Sequence, residues 1–281
     1  MSKSLSLAKV SVKSGFNLFW GAAICTILSS IEIIVIARLL SPSDYGIYSV
    51  ALTAPNLIKT FRDLGIDQST IRYTAKYAEE KQKNNIKNVL AATTTFEVIL
   101  GATLSFATFL LADFLGTNMF NRPDIVPFIQ MASLIILADA LLKTAQSAFI
   151  GYEKMSYQSL TLILYAVLRI VIMPLFVIFG LAAYGAVLGF TIAYLLAGII
   201  AMLLFYKKIY QPLHDQKVTK GELLTELKAM FRYGLPLSAA TILDSFLLRA
   251  YSFLLAIYST DVLIGNYHVA GSFTVLMASL F

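Results

Sequence analysis

Apolar runs of about 20 residues, the length an α-helix needs to cross the hydrocarbon core of a bilayer, recur along the chain between charges, glycines and prolines. The pattern predicts spans over about 15–40, 45–61, 88–115, 127–150, 156–179, 182–206 and 233–258, and a last one that starts near 264 and is still running at Phe281. The first run follows Lys3, Lys9 and Lys13, as the apolar stretch of a signal peptide would. It exceeds the roughly 7–15 residues of such a stretch and carries Glu32, so it reads as a span. Before the seventh run, Leu223, Leu224, Leu227, Met230 and Phe231 share one helical face, which predicts an interfacial helix leading into that span.

Composition agrees with this pattern. Of the 281 residues, 58% are hydrophobic and 14% charged, and the mean hydropathy is +0.75, more apolar surface than one globular core could bury. The net charge of +6 sits in alternate connections. One side receives the N-terminal lysines, then Lys59, Arg62, Arg72, Lys76, Lys81, Lys83 and Lys87, then Lys154, then Lys207, Lys208, Lys217, Lys220, Lys228 and Arg232. The other side receives Arg122, with Arg38 at a span end. Basic loops stay cytoplasmic, so the N-terminus is expected in the cytoplasm of a cell-membrane protein, and these lysines need no nucleic acid to explain them. Connections of at most about 26 residues leave no room for a soluble catalytic domain. Cys25 is the single cysteine, which excludes an intramolecular disulfide and a cysteine-cluster metal site. His214 and His268 lack a second ligand at helical spacing, so neither a metal nor a cofactor is expected.

The chain repeats itself. An offset of 219 residues carries Gly15 onto Gly234, Leu28 onto Leu247, Ala37 onto Ala256, Gly46 onto Gly265, Tyr48 onto Tyr267, Val50 onto Val269 and Ala51 onto Ala270. Six spans separate the copies, so both have the same orientation, as in transporters built from parallel halves. The expected organisation is all-α: a six-helix N-terminal half over 1–206, a cytoplasmic linker with the interfacial helix over 207–232, and the start of a second half over 233–281. Two halves of that length imply a protein of roughly 400 to 500 residues, of which this chain would be an N-terminal fragment.

The repeated segments also carry a resemblance. Ala37-Arg38-Leu39-Leu40-Ser41-Pro42-Ser43-Asp44-Tyr45-Gly46-Ile47-Tyr48, with Leu64-Gly65-Ile66-Asp67 and Ile71-Arg72-Tyr73 after it, resembles the start of polysaccharide-biosynthesis flippases of the MATE-like multidrug/oligosaccharidyl-lipid/polysaccharide (MOP) superfamily. Gly151-Tyr152-Glu153-Lys154-Met155 is similar to their turn after span four, and Tyr233-Gly234-Leu235-Pro236-Leu237 to the start of their second half. The resemblance implies a membrane transporter rather than an enzyme. Its substrate would be a polyprenyl-phosphate-linked oligosaccharide, its surroundings membrane lipids and glycan-assembly enzymes.

Ionisable groups inside spans are costly and mark functional positions. Glu32, Glu97, Asp139 and Asp244 are candidates for cation coupling or ion pairing, and Lys143, Arg169 and Arg249 for binding an anionic head group. Asp139 and Lys143 stand four apart on one helical face, where a local ion pair is the plain alternative. Arg169 cannot shed its charge and requires an acid such as Glu32, Glu97 or Asp244, a carbonyl, or an anionic ligand. Asp244 and Arg249, five apart, point in different directions, so at least one should face the space between the halves. Glu32 stands fourteen residues before Gly46, where the family's pattern often has an acid, and its counterpart in the second copy is Tyr251. Two other functions compete with a flippase: a MATE-like cation-coupled exporter using Glu32, Asp139 or Asp244, and a membrane-embedded glycan enzyme, for which the loops hold no paired carboxylates.

With Cys25 replaced, a cysteine at Lys83 is expected to react with an impermeant maleimide only from the cytoplasmic side, and one at Asn121 only from outside. Labelling of position 83 in intact cells would reverse the orientation.

Overall fold

The computed structural model describes residues 2–62, 64–214 and 220–278; Lys217 of the basic linker and the last three residues of the eighth run lie outside them. The described residues are helical and form α1 (Ser2–Leu39), α2 (Pro42–Thr60), α3 (Ile66–Glu79), α4 (Lys83–Asp113), α5 (Val126–Gly151), α6 (Met155–Phe176), α7 (Ala182–Phe205), α8 (Lys220–Tyr258) and α9 (Asp261–Ala278). Single π-helical turns follow α4, α6 and α7. Among the described residues, five helical stretches are long and apolar enough to cross a membrane, the stretch Met155–Leu213 containing both α6 and α7.

Two elements depart from the hydropathy pattern. The connection after α2 contains a helix, α3, that the pattern does not predict. Its buried residues are Ile66, Asp67, Ser69, Thr70 and Thr74, so it packs through small polar side chains and leaves no apolar stripe to read. The interfacial segment and the seventh span are also one helix, α8, which continues through Pro236. Its first turns are tied down by protein. Met230 is buried with Ile66 and Val89 of α3 and α4, and the Ser69 hydroxyl donates to the Met230 carbonyl at 2.7 Å.

The bundle is built around α5, which packs against α7, α4, α2 and α3, while α6 packs on α7 and α1 on α6. Small residues allow the close approaches that drive helix association in lipid. A Cβ on Gly101 would lie 2.7 Å from that of Ala140, and one on Gly198 would lie 2.8 Å from the Ala138 carbonyl oxygen.

α2 is polar for a span, carrying Ser49, Thr53, Asn56 and Lys59, because its neighbours are helices rather than lipid. The repeat meets itself on this helix. Gly46 lies against the backbone of Asp261, and Gly265 lies against the backbone of Pro42. Pro42 and Asp261 are equivalents under the 219-residue offset, as are Gly46 and Gly265, so the contact is reciprocal, as at a two-fold interface. Both helices begin alike: the Tyr45 amide donates to the Ser41 carbonyl and the Ile264 amide to the Thr260 carbonyl, each at 2.9 Å. A second glycine crossing sits where α3 begins. Gly65, with φ of +81°, and Gly234 of α8 touch backbone to backbone, and a Cβ on either would come within 2.2 Å of the other's carbonyl oxygen.

Gly46→Val and Gly265→Val should each lower stability by at least about 1–3 kcal/mol, because the obstructing atoms are backbone and cannot rotate aside. Gly221→Ala, with no atom within 4 Å of the added Cβ, should be neutral or stabilising. Thermal denaturation in detergent measures all three; equal melting temperatures would remove the glycine contacts from the account of the fold.

Candidate functional site

A cavity of about 540 Å³ opens between α8 and the helices of the first repeat unit, with walls from α2, α3, α5, α6 and α7. Its floor is an ion network created by the reversal between α2 and α3. Lys59 stands in the last turn of α2, Arg62 follows two residues after the helix end, and the left-handed backbone of Gly65 turns the chain so that α3 presents Asp67 back toward Arg62.

Arg62 is 2% exposed, and its guanidinium reaches three carboxylates: Glu97 of α4, Asp139 of α5 at 3.0 Å and Asp67 at 3.5 Å. Lys59 approaches Asp139 at 3.5 Å, and the Tyr194 hydroxyl of α7 donates to the same carboxylate. The Ser147 hydroxyl of α5 lies 3.0 Å from the other oxygen of Asp67. Two cations and three acids thus meet in one network with a formal net charge of −1, to which α7 adds the neutral Tyr194 hydroxyl. Burying them costs several kcal/mol per ion, which only this density of partners can offset.

Above the floor the lining changes. Lys143 and Gln146 of α5, Gln158 of α6, and Ser238, Thr241, Ser245 and Arg249 of α8 face the cavity. Lys143 and Arg249 form no salt bridge with a carboxylate among the described residues. Arg249 also borders a second cavity of about 240 Å³, with Tyr45, Tyr48, Ser49 and Asn56 of α2 and His268 of α9.

The sequence-derived residues therefore fall into three groups. Asp139, Lys143 and Arg249 line the cavity, and Glu97, fully buried, joins them through its pair with Arg62. Asp139 does not pair with Lys143 four residues away; it binds Lys59 and Arg62, because the α2–α3 reversal delivers those cations while Lys143 extends into the cavity. Arg169 and Glu32 form a separate buried pair joining α6 to α1; Arg169 donates to the Tyr165 hydroxyl at 3.3 Å and lies 4.9 Å from the centre of the Phe190 ring. Asp244 is exposed and is not part of the cavity wall.

Lys59, Arg62 and Asp67 were not legible as site residues, since they read as charges of a basic connection. The one available signal was the Leu64-Gly65-Ile66-Asp67 segment, whose glycine sets up the reversal. Among the described residues, no group of three or more His, Cys, Asp or Glu side chains could hold a metal ion.

The polysaccharide biosynthesis protein family matches residues 11–281. An uncharacterized membrane protein of Methanocaldococcus jannaschii is 23% identical over 205 residues, which make up 68% of this chain and 40% of that protein. The lipopolysaccharide biosynthesis protein WzxC of Escherichia coli is 32% identical over 109 residues, 38% of this chain and 20% of that protein. Among solved structures, the MATE multidrug transporter DinF-BH superposes with a TM-score of 0.75 at 17% identity, over 95% of this chain and 61% of that one. A MOP superfamily transporter from Pyrococcus furiosus, described as having a binding pocket of reverse polarity, superposes with a TM-score of 0.63 at 18% identity, over 88% of this chain and 52% of that one. The fold is that of MOP superfamily transporters, and the chain spans less than half the length of the curated relatives it matches.

Arg62→Met should cost about 3–5 kcal/mol, since it leaves Glu97 and Asp139 buried without their main counter-charge. Lys143→Gln, at an exposed position, should stay within about 0.5 kcal/mol of the parent. Denaturant or thermal unfolding in detergent reads both, and a mild Arg62→Met would mean that the network is not what holds α2, α4 and α5 together.

Proposed function

Because the chain belongs to the polysaccharide biosynthesis protein family, we propose that it forms part of a flippase that carries a polyprenyl-phosphate-linked oligosaccharide across the cell membrane. The observation that carries this reading is the charge left over at the cavity. Lys59 and Arg62 engage the three acids of the floor and leave a formal −1, and Lys143 and Arg249, which line the cavity without salt bridges to carboxylates among the described residues, bring the set to +1. An anionic phosphate is the ligand that such a pair recognises, through charge-assisted hydrogen bonds. Ser238, Thr241, Ser245, Gln146 and Gln158 add donors and acceptors suited to sugar hydroxyls, and the lipid tail would stay in the bilayer.

Lys143 lies on the first repeat unit and Arg249 on the start of the second, so a phosphate held by both would bridge the two units. Rocking of the units about that point provides alternating access. Arg169 takes a different part in this reading: its pair with Glu32 holds α1 on α6. The N-terminus is cytoplasmic and glycan-assembly enzymes supply the substrate.

A second reading, a cation-coupled exporter of organic cations, draws support from the fold shared with MATE transporters. It requires Glu32, Asp139 or Asp244 to be free to meet a cation; Asp139 is engaged by Lys59 and Arg62, Glu32 by Arg169, and Asp244 is exposed outside the cavity wall.

Reconstituted together with the second half that the proposal requires, the protein should move a labelled polyprenyl-phosphate-linked oligosaccharide across vesicle membranes and leave labelled organic cations behind. Lys143→Gln and Arg249→Gln should each reduce the glycan rate at least tenfold with little change in melting temperature. Cation uptake without glycan movement would replace the flippase by the exporter.

A further inference from the structure

A third cavity, of about 500 Å³, lies between α3 and the first turns of α8 and shares no lining residue with the cavity over the ion network. That volume is within the range of about 300–1,000 Å³ common for small-molecule sites. Thr225, Lys228, Ala229, Arg232 and Tyr233 line it from α8, and Tyr73 lines it from α3. The α8 residues follow i, i+3, i+4, i+7 and i+8 spacing, so they make one stripe along the helix. The rings of Tyr73 and Tyr233 meet edge to face with centroids 6.3 Å apart, and the Tyr73 hydroxyl donates to the Ala229 carbonyl at 3.4 Å.

The charge around this cavity is one-sided. Lys228 and Arg232 are exposed at its edge, and the exposed Arg72 stacks over the Tyr233 ring at 4.0 Å from its centre. The acids of the same helix are turned elsewhere. Glu226 accepts from the Tyr77 hydroxyl at 3.4 Å, and Glu222 accepts from the Asn88 amide at 2.8 Å, both on the side packed against α3 and α4. Burial, then the Glu226 carboxylate, pushes the Tyr77 phenol up to about 12, so it remains a donor to that carboxylate at neutral pH. Glu79 and Glu80 stand past the basic residues, at the far end of α3.

Apolar surface adjoins the cationic edge. Leu224, Lys228 and Leu235 are spaced i, i+4 and i+11 and fall on one face of α8, and the two leucines are 72% and 49% exposed. A lysine between exposed leucines, with tyrosines beside it, is the arrangement of a helix at the level of lipid head groups. Basic pockets between helices at that level take anionic head groups.

We propose that this α3–α8 cavity binds the head group of an anionic bilayer phospholipid, with Arg72, Lys228 and Arg232 on the phosphate, Thr225 and the tyrosines around the glycerol, and Leu224 and Leu235 along the acyl chains. The site is separate from the central cavity and does not depend on what is transported. Because it joins α3 to α8 next to the Gly65–Gly234 crossing, bound lipid clamps the two repeat units at that end.

Native mass spectrometry of the detergent-purified chain, titrated with phosphatidylglycerol and with phosphatidylcholine, tests this. Phosphatidylglycerol should bind at least fivefold more tightly, and Lys228→Gln/Arg232→Gln should remove that preference while Lys228→Arg retains it. Lys81→Gln/Lys83→Gln, outside the cavity, should leave the preference intact, and circular dichroism with gel filtration should show every variant folded. Equal binding of the two lipids overturns the proposal. So does loss of the preference in the Lys81/Lys83 variant, or displacement of phosphatidylglycerol by millimolar inorganic phosphate, which would identify a free-anion site. Failure of glycan transport leaves this test unaffected, and failure of lipid binding leaves the transport reading unaffected.

Discussion

A guanidinium keeps its charge at any pH the protein meets, and Arg62 keeps one where almost no water reaches it. Everything within reach of that group is arranged to make this tolerable. Glu97, Asp139 and Asp67 come from three helices, and a carboxylate from each must arrive together or the cost of burial is not recovered. The position of α2 against α4 and α5 is therefore set by an electrostatic requirement as much as by packing. The same network occupies the acids nearest the cavity, and Lys143 and Arg249 line that cavity without a salt bridge to a carboxylate among the described residues, which is the basis of the anion-binding proposal.

The helices that face lipid were legible in the sequence, and those that face protein were less so. α1, α4, α6 and α7 announce themselves through length and hydropathy because bilayer thickness fixes both, and the central α5 does so although protein surrounds it. α3 gives no such signal: its buried side is Asp67, Ser69, Thr70 and Thr74, residues chosen for small volume and for hydrogen bonds such as that between the Thr70 and Thr93 hydroxyls. The continuity of α8 was hidden by Pro236, which reads as a boundary and is accommodated inside the helix.

The site was half legible for a related reason. Charges inside apolar runs stand out, and Glu97, Asp139, Lys143 and Arg249 were found that way. Arg62 and Lys59 sit at the end of a helix, where the positive-inside pattern supplies a sufficient explanation and hides a second one. Local spacing also pointed to the wrong partner for Asp139. A four-residue separation puts Lys143 within reach along α5, yet a chain reversal far upstream, between α2 and α3, brings better donors to the same carboxylate. Arg169 shows the converse, since its need for an acid was clear from sequence while the choice of Glu32 rests on how α1 lies on α6.

The reciprocal seating of Gly46 and Gly265 has a mechanical meaning. Most helix pairs meet through interdigitated side chains, and turning one against the other requires ridges to leave their grooves and rotamers to be reset. Where α2 crosses α9, backbone rests on backbone, and the symmetry of the repeat places the same smooth surface on both partners. Such a contact resists separation far more than it resists rotation. It behaves as a bearing, with its axis pinned by two glycines and no teeth to disengage.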